Sequence, residues 1–177
     1  MSFRVCIDAS LALRWLLPTD QELSADALLQ DWDQSGTEIM STPLLDIEVT
    51  STIRRLVYLK KVLPQQGEEA YRLYRDLGVT ILNPPELAGR AWSLAAEYNH
   101  TRTFDLQYLA AAEMEDCELW TADRKLADLT KGKTNRVKWL GEYGRRAMAP
   151  PQSPKQDNAL GRDNTPKLDD PGLWRRF

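Results

Sequence analysis

The 177-residue sequence predicts an α/β fold built on a mostly parallel five-stranded sheet. Three observations carry that reading. Short β-branched or apolar runs stand at residues 3–7, 37–41, 79–82, 118–122 and 137–140. Longer segments with apolar residues three or four apart separate them. Prolines and glycines punctuate the junctions. Strands alternating with helices in this way imply parallel strands joined by helical crossovers.

The first run, residues 3–7, ends at Asp8. Residues 9–17 then have helical spacing, and Pro18 stops them. Leu23, Ala27, Leu28 and Trp32 recur at helical intervals, so residues 21–34 read as an amphipathic helix that Gly36 ends. Residues 37–41 are the second strand. Pro43 suits the first position of a helix, which runs with Leu45, Val49, Ile53 and Leu56 on one face to about Lys61. Pro64 opens the next helix, carrying Tyr71, Leu73 and Tyr74 towards Gly78. Residues 79–82 are the third strand. Pro84 and Pro85 introduce a helix with Leu87, Ala91, Leu94 and Ala95. Thr103 is placed to cap a helix over 104–115. Residues 118–122 are the fourth strand, ending at Asp123, and a short helix covers 124–130. Val137, Trp139 and Leu140 suggest a fifth strand at an edge. From 148 the composition turns to Pro, Asp, Asn, Gly and Lys. The expected organisation is one domain over 1–147 and a disordered tail over 148–177. The tail ends on Trp174-Arg175-Arg176-Phe177, an aromatic and cationic group suited to docking.

Composition narrows the chemistry. A lone histidine, His100, excludes a histidine-rich metal site. It would have to serve alone in any serine or cysteine nucleophile system. Two cysteines, Cys6 and Cys117, make no disulfide framework, and no glycine cluster matches a phosphate-binding loop. No run is long and apolar enough for a membrane helix, and the charged start does not resemble a signal peptide. A cytoplasmic protein without membrane association is the expectation. The net charge of −3 hides a gradient. Residues 1–123 hold 10 basic and 20 acidic side chains, whereas residues 124–146 hold 8 and 2. A basic segment therefore follows an acidic body, either as a solvated face or as an anion-facing patch.

Catalysis would run on carboxylates. Open parallel sheets bind ligands at the carboxyl ends of their strands, and Asp8 and Asp123 each follow a strand. Asp105 stands in the first turn of one helix and Glu48 in the second turn of another. Each has a plainer role open to it. Asp8 and Asp123 suit helix caps, and Asp105 suits the positive end of a helix dipole. Glu48 lies beside Ile47, Val49 and Leu45, where a carboxylate is costly unless something compensates it. Four carboxylates without histidine or cysteine suit Mg2+ or Mn2+, hard cations that take oxygen ligands. Such an ion clamps the oxygens of a phosphodiester during in-line displacement. Ser10 and Thr121, the nearest hydroxyls to Asp8 and Asp123, would hold those carboxylates. Arg14, Arg54, Arg55, Arg124 and Lys125 are placed to meet phosphate. A phosphatase using Asp8 as nucleophile would want a second acid two residues on, and position 10 is Ser.

Four segments, in order, resemble the motifs of the PIN-domain family, and within it the VapC-like toxin ribonucleases. They are Asp8-Ala9-Ser10, the run Pro43-Leu44-Leu45-Asp46-Ile47-Glu48-Val49 followed by Arg54-Arg55, Thr103-Phe104-Asp105-Leu106-Gln107-Tyr108-Leu109-Ala110, and Leu119-Trp120-Thr121-Ala122-Asp123. The likeness spans about residues 3–143. It implies a three-layer α/β/α sandwich and Mg2+- or Mn2+-dependent endoribonuclease activity. It also implies that Asp8, Glu48, Asp105 and Asp123 are the metal-binding catalytic acids. A small cognate antitoxin and a homodimer are the partners it implies. The alternative is a PIN-like binding or scaffold module without nuclease activity.

Overall fold

The computed structural model describes residues 3–17 and 22–147. The tail over 148–177 lies outside the described residues, as does Pro18. The elements in order are β1 (Arg4–Ile7), α1 (Ala9–Leu16), α2 (Glu22–Ser35), β2 (Glu38–Ser41), α3 (Leu44–Tyr58), α4 (Pro64–Asp76), β3 (Thr80–Ile81), α5 (Leu87–Glu97), α6 (Phe104–Met114), β4 (Glu118–Thr121), α7 (Arg124–Thr130), β5 (Val137–Trp139) and α8 (Leu140–Ala147). Their placement follows the local signals. Gly36, at φ +64°, takes the left-handed conformation that ends α2. Pro64 begins α4, and the Gln66 side chain accepts from the Leu63 backbone N–H at 3.0 Å.

All strand pairs are parallel, in the order β3-β2-β1-β4-β5. The chain therefore builds outward from β1 on one side, then returns to lay β4 against its other side. That reversal between β1 and β4 is a topological switch point, where open α/β sheets bind ligands.

Alternation along each strand divides the core. Cys6 and Leu119 are paired and face α6, and the Cys6 thiol donates to the Tyr108 carbonyl. Ile7 and Trp120 are paired on the opposite face, where Trp120 meets α2 and α8. There an edge-to-face ladder runs Trp15, Trp32, Trp120, Tyr143, with successive centroids 5.9, 5.7 and 6.0 Å apart. It ties α1, α2, β4 and α8 together, and Tyr143 donates to Asp31.

Several expectations are corrected. Leu140 does not extend the edge strand. It is fully buried and starts α8, which packs on α2 and β5. Thr103 stands before α6 with helical backbone angles, and its side chain makes no cap bond. Tyr71 and Leu73 of α4 are exposed, and the buried face is Gly67, Ala70 and Tyr74. The third strand is only Thr80–Ile81. α3 ends at Tyr58, three residues before Lys61.

Candidate active site

Asp8 is the first residue beyond β1 and only 5% exposed. It caps α1, its Oδ1 accepting from the Leu11 backbone N–H at 2.9 Å and from Ser10 Oγ at 2.7 Å. Its Oδ2 accepts from Thr121 Oγ1 at 2.5 Å. Ser10 and Thr121 lie 3.2 Å apart. Both also accept from the turn after β4: Ala122 N–H donates to Ser10 Oγ and Asp123 N–H to Thr121 Oγ1, each at 2.9 Å. One hydroxyl network thus fixes Asp8 and the Asp123 backbone to each other across β1 and β4.

Asp123 caps α7, its Oδ1 accepting from the Lys125 N–H at 2.7 Å. The capping roles expected for Asp8 and Asp123 are real, and each coexists with a place at the switch point. Glu48, on α3, is half-buried, and its Oε2 accepts from Tyr108 Oη at 2.7 Å. Asp105, in the first turn of α6, has no hydrogen-bond partner for its carboxylate among the described residues.

Electrostatics join the four. Burial pushes Asp8 up to about 6, against the pull of its three hydrogen bonds, and Asp105 adds to the rise. Burial raises Glu48 too, with Tyr108 opposing and Asp105 assisting. Asp105 is itself raised by burial and by Asp123, while His100 and Arg102 act the other way. Among the described residues, no lysine or arginine forms an ion pair with any of the four. Carboxylates that burial raises at Asp8, Glu48 and Asp105, with Asp123 beside Asp105 and no ion pair to lysine or arginine among the described residues, are a donor set whose chemistry fits a hard divalent ion. They are not gathered into a cage: among the described residues, no three acidic, imidazole or thiol groups are arranged to hold an ion. The reason lies in the bonds just described. Asp8 is turned to Thr121 and Ser10, Glu48 to Tyr108, and Asp123 to the start of α7.

The basic residues are spread more widely. Arg124 and Lys125 open α7 beside Asp123, with Arg124 paired to Asp128 at 3.3 Å. Arg54 lines a groove between α3 and α4 with Tyr71 and Glu68. Arg55 is exposed on α3, and Arg14 lies in the last turn of α1. A cavity of about 940 Å³ opens at the opposite edge of the sheet, lined by Arg4, Cys117 and Arg136. It touches none of the four acids.

Two residues near the acids have no role assigned from sequence. Tyr108, one turn after Asp105, reaches across to Glu48. Its place one helical turn past an acid is the signal that could have found it. Thr42 follows β2 as Asp8 follows β1, by the register Cys6 to Met40. It is fully buried, and its hydroxyl has no partner among the described residues. Only tertiary placement marks it.

A three-layered parallel sheet in this order, with carboxylates at its switch point, is the architecture of PIN domains, and the PIN-domain model matches residues 5–132. The chain belongs to the PIN-domain family. It is similar to the VapC ribonuclease Mb0985 of Mycobacterium bovis and to ribonuclease VapC9 of Mycobacterium tuberculosis. Each is 32% identical over 125 residues, covering 70% of this chain and 89% of the relative. Among solved structures, PAE2754 from Pyrobaculum aerophilum superposes with a TM-score of 0.58 at 21% identity, over 84% of this chain and all of that one. VapC20 of Mycobacterium tuberculosis, a sarcin–ricin loop cleaving toxin, superposes with a TM-score of 0.54 at 12% identity, over 70% and 93%. Among the described residues, no helix is long and apolar enough to cross a membrane.

Proposed function

We propose that this chain is a divalent-metal-dependent endoribonuclease that hydrolyses RNA phosphodiester bonds, acting as the toxin of a toxin–antitoxin pair. The observation that carries it is the electrostatic coupling of Asp8 and Glu48 to Asp105, and of Asp105 to Asp123, with no ion pair to lysine or arginine at any of the four among the described residues. The VapC ribonuclease relatives support the same reading. Mg2+ or Mn2+, held by these four acids, would supply charge neutralisation and an activated water.

The chain's own residues do the rest. Ser10 and Thr121 hold the Asp8 carboxylate by both its oxygens, so it does not swing into solvent. Tyr108 does the same for one oxygen of Glu48. Asp105 accepts no hydrogen bond from another side chain among the described residues, so its oxygens are left for the ion. Water's oxygen bonds to phosphorus in line with the departing ribose oxygen, whose P–O bond breaks; one proton of the water passes to solvent, and the departing oxygen takes one from solvent. Arg124 and Lys125 meet the phosphate beside Asp123.

Incubating the purified chain with end-labelled single-stranded RNA tests this. Internal cuts in Mg2+ or Mn2+, stopped by EDTA and by Asp8→Asn or Asp123→Asn, are expected. Intact RNA in both metals would leave the binding-module reading. A cognate antitoxin and a homodimer belong to the same proposal, as does a cytoplasmic location. The protein encoded beside this chain should co-purify with it and suppress cleavage.

A further inference from the structure

The basic segment over 124–146 does not form one uniform patch. It folds around the free edge of β5 and lines a cleft of about 710 Å³ between α7, β5 and α8. That volume suits a nucleotide-sized ligand. Trp139 lies in register with Thr121, the residue that holds Asp8, so the cleft reaches the level of the acidic edge. Arg124, the residue after Asp123, sets its guanidinium 4.7 Å from the centroid of the Trp139 ring. On α8, a Cβ added to Gly141 would stand 2.5 Å from Trp139 Cζ2, so only glycine lets the indole lie there. The ring is a fixed platform with a cation upon it.

Lys131 and Lys138 stand on the same walls, with Tyr143 beyond. Arg124 pairs with Asp128, and Lys138 with Glu118, each at 3.3 Å. Both pairs are substantially exposed, and such pairs are weak and exchange readily for phosphate. Lys131 is exposed, and Glu142 is the remaining acid of the lining. Aromatic platforms interleaved with cations are how proteins hold single-stranded nucleic acid: bases stack, and phosphates meet the cations.

We propose that this cleft binds the nucleotide of single-stranded RNA that flanks the bond to be cut. A base stacks on the Trp139–Arg124 pair, and its phosphates meet Lys131 and Lys138. The inference rests on the ribonuclease reading and adds a subsite to it.

The test measures binding of a labelled ten-nucleotide oligouridylate by fluorescence anisotropy over a series of salt concentrations. It uses the full chain carrying Asp8→Asn, so that nothing is cut. Adding Trp139→Leu should weaken binding about five- to 150-fold, the range of one base–aromatic stack. Adding Lys131→Gln with Lys138→Gln should weaken it several-fold. The salt slope should also fall by about 0.7 for each phosphate that the variant no longer neutralises. The lysine pair lies on the surface and carries the test if Trp139→Leu fails to fold. Unchanged affinity and slope in the lysine variant, or no binding by the parent, overturns the cleft. The ribonuclease reading fails separately: RNA bound through the cleft but left whole by the unsubstituted chain in Mg2+ and Mn2+.

Discussion

Replacing Asp8 by Asn should make the metal-free protein more stable while removing its activity. Asp8 is buried and its carboxyl is pushed up to about 6, from 3.8. Between those values the folded chain binds more protons than the unfolded chain. Stability therefore falls as pH rises through this window, and the full penalty stands above pH 6. A shift of about two units is worth about 3 kcal/mol at pH 7. Asn keeps the shape and removes the charge. Its Oδ1 still accepts from Leu11 N–H and Ser10, but its Nδ2 must face Thr121, which now donates to Asp8. That mismatch returns about 1 kcal/mol. The net gain of about 2 kcal/mol corresponds to a rise in Tm of about 4–8 °C for a chain of this size. The assay is thermal melting of both proteins in EDTA from pH 4 to pH 8. The variant's advantage should shrink as pH falls below 6 and vanish between about pH 4 and pH 5, where the remaining penalty on Asp8 no longer exceeds the mismatch. Millimolar Mg2+ should reverse the order at pH 7 by stabilising only the protein that binds it. A variant that melts at or below the parent at pH 7, or a difference that does not shrink towards pH 4, would refute the reasoning.

Tyr108→Phe removes the bond that holds Glu48 and lowers its pKa, so the acid limb of the rate–pH profile should move to higher pH, with a stability loss of about 1–2 kcal/mol in denaturant titration. Gly67→Ala places a Cβ 2.4 Å from Val57 Cγ2 where α4 meets α3, and should cost about 1–2 kcal/mol despite the better helix propensity, read as a lower urea midpoint. Trp32→Ala opens the middle of the aromatic ladder between Trp15 and Trp120, and should cost about 3–5 kcal/mol in the same titration.

Local chemistry determined much of this protein by itself. The extended runs that become β1, β2 and β4 are legible because each is short, apolar and closed by a polar residue. Gly36 and Pro64 bound their helices through backbone geometry alone. Asp8 and Asp123 could be placed at strand ends because helical spacing resumes immediately after each. Tertiary structure decided what local patterns do not carry. The neighbouring of β1 and β4 brings Asp8 within 2.5 Å of Thr121, 113 residues away. Glu48 finds Tyr108 60 residues on, because the fold brings a side chain of α6 within reach of one on α3. Leu140 looked like the end of a strand, since an apolar residue after Trp139 fits either period. It became the first residue of α8 because burial against α2 and β5 outweighs one more strand residue at an exposed edge. Helix and strand come from interactions a few residues apart. The site comes from strand order, which long-range burial sets.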